Sequence, residues 1–202
     1  MFASTNEGFN EVWWFYCTAA SNTIDRYVVY NYLENVWYYG SMARTAWLDS
    51  GLLGYPIGAT YLNNLVNHEY GNDNAETATP TAIYSYILSA QFDLDDGDRM
   101  SFIWRVLPDV TFNGSTVDAP AITMTLLPLR NSGSGYNSPL SVGGSASEVI
   151  TLSAVLPVEQ FTGQIYTRIR GRQLSMKVES SALGVAWQLG APRLDTRPDG
   201  RR

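Results

Sequence analysis

Lysine, histidine and cysteine each occur once in this 202-residue chain, as Lys177, His68 and Cys17. One cysteine excludes an intramolecular disulfide, so nothing marks a small stapled secreted domain. Cys17 ends the apolar run from Val12 and reads as a small buried core residue rather than a reactive thiol, because no histidine or basic cluster lies near it in sequence. A single histidine excludes the paired-histidine zinc motifs, and the position four residues beyond His68 is Asn72. No stretch approaches 18 uncharged apolar residues, and no basic segment leads into an apolar run at the start. Neither a membrane span nor a signal peptide is visible, so synthesis in a cytoplasm is expected. Also missing are a Gly-rich phosphate loop ahead of a helix, a GxSxG elbow and a dinucleotide fingerprint.

What is present is apolar and aromatic. The chain is 45% hydrophobic and only 16% charged, too apolar for a disordered segment and low in charge for an ordinary cytosolic domain. Tyrosine (13) and tryptophan (6) are heavily used, a bias found both in β-sheets and in interface cores. At this length a sizeable core can form without metals or disulfides. Charge is uneven: residues 1–100 carry 3 Arg against 12 acids, residues 101–167 carry 2 against 4, and residues 168–202 carry 8 Arg/Lys against 3. An acidic body with a basic end argues against tight nucleic-acid binding, which depends on Lys and Arg neutralising phosphates.

Hydrophobicity alternates at period two or comes in short runs bounded by turn residues, and almost nowhere repeats every 3.6 residues over three turns. The pattern predicts an all-β chain. Residues 11–18, 24–32 and 36–40 read as a three-stranded meander, and 57–61 with 65–70 as a hairpin turned by Asn63 and Asn64. Residues 71–80 (GNDNAETATP) lack apolar periodicity and are the expected boundary, giving a 1–72 meander resembling a propeller blade and an 80–202 β-sandwich of jelly-roll type with a basic C-terminal end. In the second part, 83–92 and 100–107 are expected to pair across the turn at Asp95–Asp98, followed by strands at 121–129, 149–156, 164–170, 173–179 and 184–189, with 130–144 a long surface loop. The first 70 residues look like one blade plus part of the next, and such blades bury their faces only against neighbours. The chain is therefore expected to be the C-terminal portion of something larger or to fold against another chain; a self-contained small sheet packed on the sandwich is the alternative.

Candidate chemistry is sparse. His68 beside Glu69 suggests metal or acid-base work, but without a second histidine it reads as a strand residue next to the turn at Gly71. Asp93, Asp95, Asp96 and Asp98 around Gly97 have the wrong order for an EF-hand loop, with Gly97 fifth and Trp104 twelfth; turn geometry explains them better, with cation binding by Asp93–Asp98 left open. Trp13, Trp14, Phe15 and Tyr16 with Trp37, Tyr38 and Tyr39 could form a sugar-stacking platform, yet successive strand residues face opposite sides, so packing is the better account. Arg168, Arg170 and Arg172 alternate along one strand and are expected to form ion pairs within or between subunits. No catalytic, cofactor-binding or metal residues are assigned.

Residues 10–49, His68-Glu69 with Gly71, Val106-Leu107-Pro108-Asp109-Val110, and the ending from Arg170-Gly171-Arg172 through Gly184, Trp187, Leu189-Gly190, Arg193-Leu194-Asp195 and RPDGRR together resemble the C-terminal half of tail proteins of short-tailed phages, the packaged-DNA stabilisation or tail hub and nozzle family. The resemblance spans nearly the whole chain. It implies a virion protein, not an enzyme, with a propeller and an attached sandwich. It also implies assembly with other tail and connector proteins as a hexameric ring below the portal and adaptor. Packaged DNA would lie in the lumen without sequence-specific contacts, retained and then released. The chain departs from the family in lacking the upstream residues of most of a propeller. The rival reading is a carbohydrate-binding or depolymerising module of a phage or bacterial surface protein.

Overall fold

The computed structural model describes residues 1–49, 54–129 and 153–199. The chain is all-β, with antiparallel sheets throughout and one 3-10 turn at Glu7–Phe9 as the helical element among the described residues. It divides into two compact units, Met1–Gly71 with Ala75–Pro80, and Asn72–Asn74 with Thr81–Arg202.

In the first unit, β1 (Phe2–Asn6), β2 (Glu11–Tyr16), β3 (Arg26–Asn31) and β4 (Val36–Ser41) form a meander in that order. Period-two alternation sorts its aromatic runs. Trp13, Phe15 and Val29 are buried on the inner face, where Phe2, Ile24, Tyr27, Met42 and Trp47 pack on them. The register sets Val12 beside Tyr30 and Trp37, and Trp14 beside Val28 and Tyr39, on the outer face. The turn into β4 uses Asn35 at a left-handed φ of 56°. A second sheet joins β5 (Ala46–Leu48), β6 (Ile57–Ala59) and β7 (Leu65–Asn67); the β6–β7 hairpin turns through Asn63 at φ 61°.

The second unit opens with β8 (Asp73–Asn74) paired to β9 (Thr81–Ala82). Its main sheet has β10 (Ser85–Leu88) beside β17 (Gln173–Ser180), then β14 (Ala121–Leu129) and β15 (Ala154–Glu159), with β11 (Phe92–Asp93) also on β17. A three-stranded sheet sets β12 (Ser101–Leu107) between β16 (Ile165–Gly171) and β19 (Arg193–Pro198), and β13 (Val110–Thr111) pairs with β18 (Gln188–Leu189). One core takes side chains from both larger sheets: Ile103, Val106 and Ile169 with Ile122, Met124, Leu126, Val158, Leu174 and Val178. Full burial of a side chain of this size contributes about 1.5–3 kcal/mol.

Several expectations change. Cys17 is exposed, because β2 ends at Tyr16 and the chain turns before it would re-enter the core. Residues 83–92 and 100–107 do not pair with each other: β10 and β11 lie on β17 while β12 lies between β16 and β19. The aspartate-rich turn therefore carries the chain from one sheet to another. Residues 184–189 yield only the two-residue β18, and β19 had no counterpart in the sequence reading. The loop expected at 130–144, and residues 149–152 of the expected 149–156 strand, lie outside the described residues.

Candidate functional site

A buried polar cluster lies on the inner face of the meander, where the strand pattern would place apolar residues. Glu11 shares its phase with Trp13 and Phe15 and is buried with them. A carboxylate there must be fully bonded to be tolerated. Trp13 Nε1 donates to Glu11 Oε2 at 2.9 Å, Asn6 Nδ2 at 3.3 Å, and the Tyr38 hydroxyl donates to Oε1. Asn6, 1% exposed, also reaches Glu69 Oε1 at 3.5 Å, so one amide bridges two carboxyl groups. Asn6 Oδ1 is buried without a hydrogen-bond partner among the described residues.

Electrostatics follow from the crowding. Burial, and then the charge of Glu11, hold the Glu69 carboxyl above the usual carboxylate range, although the residue as a whole is exposed. Tyr38 is pushed well above the usual phenol value by burial first, then by its hydrogen bond to Glu11. Tyr27 rises for the same leading reason, with the charges of Glu11 and Glu69 behind it.

His68 sits just past β7, with its ring tilted on Trp47 at 4.4 Å. Its Nε2 accepts from Arg44 Nε at 2.9 Å, which leaves Nδ1 to carry the proton of the neutral ring. Burial and the guanidinium hold His68 down to about 4. Arg44, 6% exposed, also donates to the Ala43 carbonyl and pairs with Glu76 at 3.2 Å. Gly58 makes room for this pair: a Cβ there would lie 2.7 Å from His68 Nε2 and 2.9 Å from Arg44 Cδ. Among the described residues His68 hydrogen-bonds one ionisable side chain, Arg44, and its available lone pair is already used. Glu11 and His68 are both occupied as acceptors.

No family model matches the chain, and no curated protein is similar to it in sequence.

The aspartate turn is built as a turn. Asp95 (φ 58°) and Gly97 (φ 71°) adopt left-handed backbone, Gly97 N–H donates to the Leu94 carbonyl at 3.2 Å, and Asp93 accepts from Gln173 at 2.8 Å. Among the described residues, no three or more His, Cys, Asp or Glu converge to hold a metal ion.

Arg168 and Arg170 project outward from β16 and are exposed, whereas Arg172, past Gly171, leaves the row and is half-buried. A bulge between Ile103 and Arg105 turns Trp104 and Arg105 onto the same outer face. Across β12, Arg197 faces Phe102 from one side and Arg170 from the other. The Arg105 and Arg197 guanidiniums lie 4.8 and 4.9 Å from the Trp104 ring, and Tyr166 stacks on it at 6.1 Å. Arg105 pairs with Asp195, and Arg170 with Asp199 at 2.7 Å.

Sequence reasoning singled out His68, Glu69, the aspartates and the arginine row. It named Tyr38 only as part of an aromatic platform, not as a donor to Glu11, and missed Asn6, Glu11 and Arg44. Glu11 had a usable signal, a carboxylate in phase with the inward Trp13 and Phe15; Arg44 had none. A shallow cleft of about 480 Å³ in the second unit, lined by Ile83, Tyr86, Ile87, Trp187 and Leu189, is apolar and brings together no charged side chains.

Proposed function

We propose that the chain is a structural subunit of a bacteriophage tail, of the hub or nozzle below the portal and adaptor, working by assembly and not by catalysis. The observation that carries the reading is the outer face of the meander. Val12, Trp14, Val28, Tyr30, Trp37 and Tyr39 lie together there, Trp37 at 60% and Tyr39 at 77% exposure, with Trp37 stacked on Tyr30 at 4.5 Å and on Trp14 at 5.7 Å. Beyond Arg26 at one end, these register positions carry no charge. Uncharged aromatic faces of this kind are characteristic of surfaces covered in an assembly. The bonded states of Glu11 and His68 suit a structural role for the inner cluster as well.

In this reading the meander is a propeller-like blade completed by neighbours, the second unit is the jelly-roll-like sandwich, and copies close a hexameric ring in the virion. The acidic body lines a lumen that passes packaged DNA without gripping it. Negative-stain images of the purified chain test this: closed rings are expected, and a strict monomer at ~100 µM would remove the assembly reading.

The outer face also favours a second reading, a carbohydrate-binding module. Trp14, Tyr30 and Trp37 form a stacked aromatic platform, and its register positions hold no carboxylate, which suits binding more than depolymerisation. Glycan-array binding abolished by Trp37→Ser would favour it over the tail reading.

A further inference from the structure

We infer that the outer face of the β16–β12–β19 sheet is a docking surface for a second copy of this chain, whose aspartate turn at Asp95 and Asp96 seats on Arg168 and Arg197. The inference rests on the assembly reading and names the contact that would deliver it.

The face is rich in arginine. It gathers Arg105, Arg168, Arg170, Arg193 and Arg197 around Phe102, Trp104 and Tyr166, without lysine, on a chain whose net charge is −6. Trp, Tyr and Arg are the residues that dominate binding energy at protein interfaces. Two carboxylates already show what these guanidiniums accept: Asp195 neutralises Arg105 and Asp199 neutralises Arg170. Arg168, Arg193 and Arg197 are exposed and make no ion pair among the described residues. The Arg197 guanidinium is held on the Trp104 ring, so little side-chain freedom is lost when it binds.

Three unpaired cations are too few for a nucleic acid at physiological salt, where affinity comes from about 6–10 phosphate contacts. They match the aspartate turn. Asp95 and Asp96 are exposed and pair with no cation among the described residues. The turn is preformed: Leu94, 4% exposed, anchors it, and its N–H donates to the Arg172 carbonyl at 2.8 Å. Within one copy no ion pair joins the turn to Arg168 or Arg197. Two rigid surfaces of opposite charge on the same molecule are complementary between copies.

Charge exchange tests the contact in the full chain. Sedimentation velocity should show self-association of the wild type that weakens at ~0.5 M salt. Arg168→Glu with Arg197→Glu, and separately Asp95→Arg with Asp96→Arg, should each weaken association at least about tenfold, with unchanged far-UV circular dichroism. An equimolar mixture of the two variants should recover association. The inference is overturned if either variant associates like the wild type, or if the mixture does not recover. Assembly that persists in both variants removes this interface and leaves the tail reading standing; a monomeric wild type removes the interface and the assembly reading together. An oligo-dT that binds the wild type and the aspartate variant but not the arginine variant would reassign the face to nucleic acid.

Discussion

The two units solve the problem of closing a β-sheet in different ways. In the second, two sheets contribute to one core, a largely aliphatic cluster from Leu94 to Val178. In the first, the buried apolar core is small, centred on Trp13, Phe15 and Val29, and is extended by a hydrogen-bonded network around Glu11 while aromatic rings on the opposite face stay open. Apolar burial is non-directional and scales roughly with area, whereas a buried carboxylate stabilises only while every partner is present. The first unit should therefore be the more easily damaged by single polar substitutions.

The largest effects should come from core truncation. Phe15→Ala should cost the first unit about 3–5 kcal/mol, and Leu126→Ala should cost the second about 2–5 kcal/mol. Trp13, Trp14, Trp37 and Trp47 all belong to the first unit, so tryptophan emission reports mainly on it, and far-UV circular dichroism on both. Phe15→Ala should lower the fluorescence midpoint more than the dichroism midpoint; identical shifts in both signals would break the comparison.

Next in size is Glu11→Leu, which strands the Trp13 indole N–H, the Tyr38 hydroxyl and an Asn6 donor. A loss of about 3 kcal/mol is expected in chemical denaturation, against a smaller one for Glu11→Gln, which keeps an acceptor. Equal losses would mean that volume, not hydrogen bonding, holds the network.

A pH dependence of about 2–3 kcal/mol should follow from His68. Its folded value of about 4 lies below the ordinary 6.5, so the unfolded chain binds more protons in that interval. Stability from this group is complete above pH 6.5 and is lost as pH falls toward 4. Glu69, raised in the fold, acts with the opposite sign, weakening the fold as pH rises above the ordinary carboxylate range. His68→Gln keeps an acceptor for Arg44 and should flatten the slope between pH 4 and 6.5 in urea titrations; an unchanged slope would show that another group carries it.

The smallest effect on stability should be Trp37→Ser on the open face, within about 1 kcal/mol, paired with a clear loss of assembled mass by light scattering. Stability and assembly falling together would show that Trp37 belongs to the fold of one copy.

The all-β class and the meander were legible because aromatic and β-branched runs alternate with turn residues, and left-handed Asn35 and Asn63 stand where hairpins need them. Strand pairing in the second unit was not legible. β10 and β12 are close in sequence, but β17, whose Lys177 and Ser180 pair with Leu88 and Ser85, supplies the partner of β10, and nothing in a local pattern announces a partner at that distance. The arginine row was visible along β16, yet only the bulge in β12 and the late strand β19 bring Trp104 and Arg197 beside it. His68 was read as a strand residue next to the turn at Gly71, and it lies just past the end of β7 at Asn67; its partner Arg44 comes from another strand's flank, beyond the reach of spacing rules.

The passage between units has a consequence for how such a chain can be divided. Asp73 accepts from Gly184 N–H at 2.8 Å, so residues 72–74 belong to the later unit, and only afterwards does the chain return to place Glu76 on Arg44. No single crossover in this stretch separates the two intact. A genetic exchange before residue 72 deprives the earlier unit of Glu76, and one after residue 80 deprives the later unit of Asp73. Chimaeras joined just before residue 72 or just after residue 80 should therefore mismatch one unit, and those joined between residues 74 and 75 should mismatch both and be recovered most rarely.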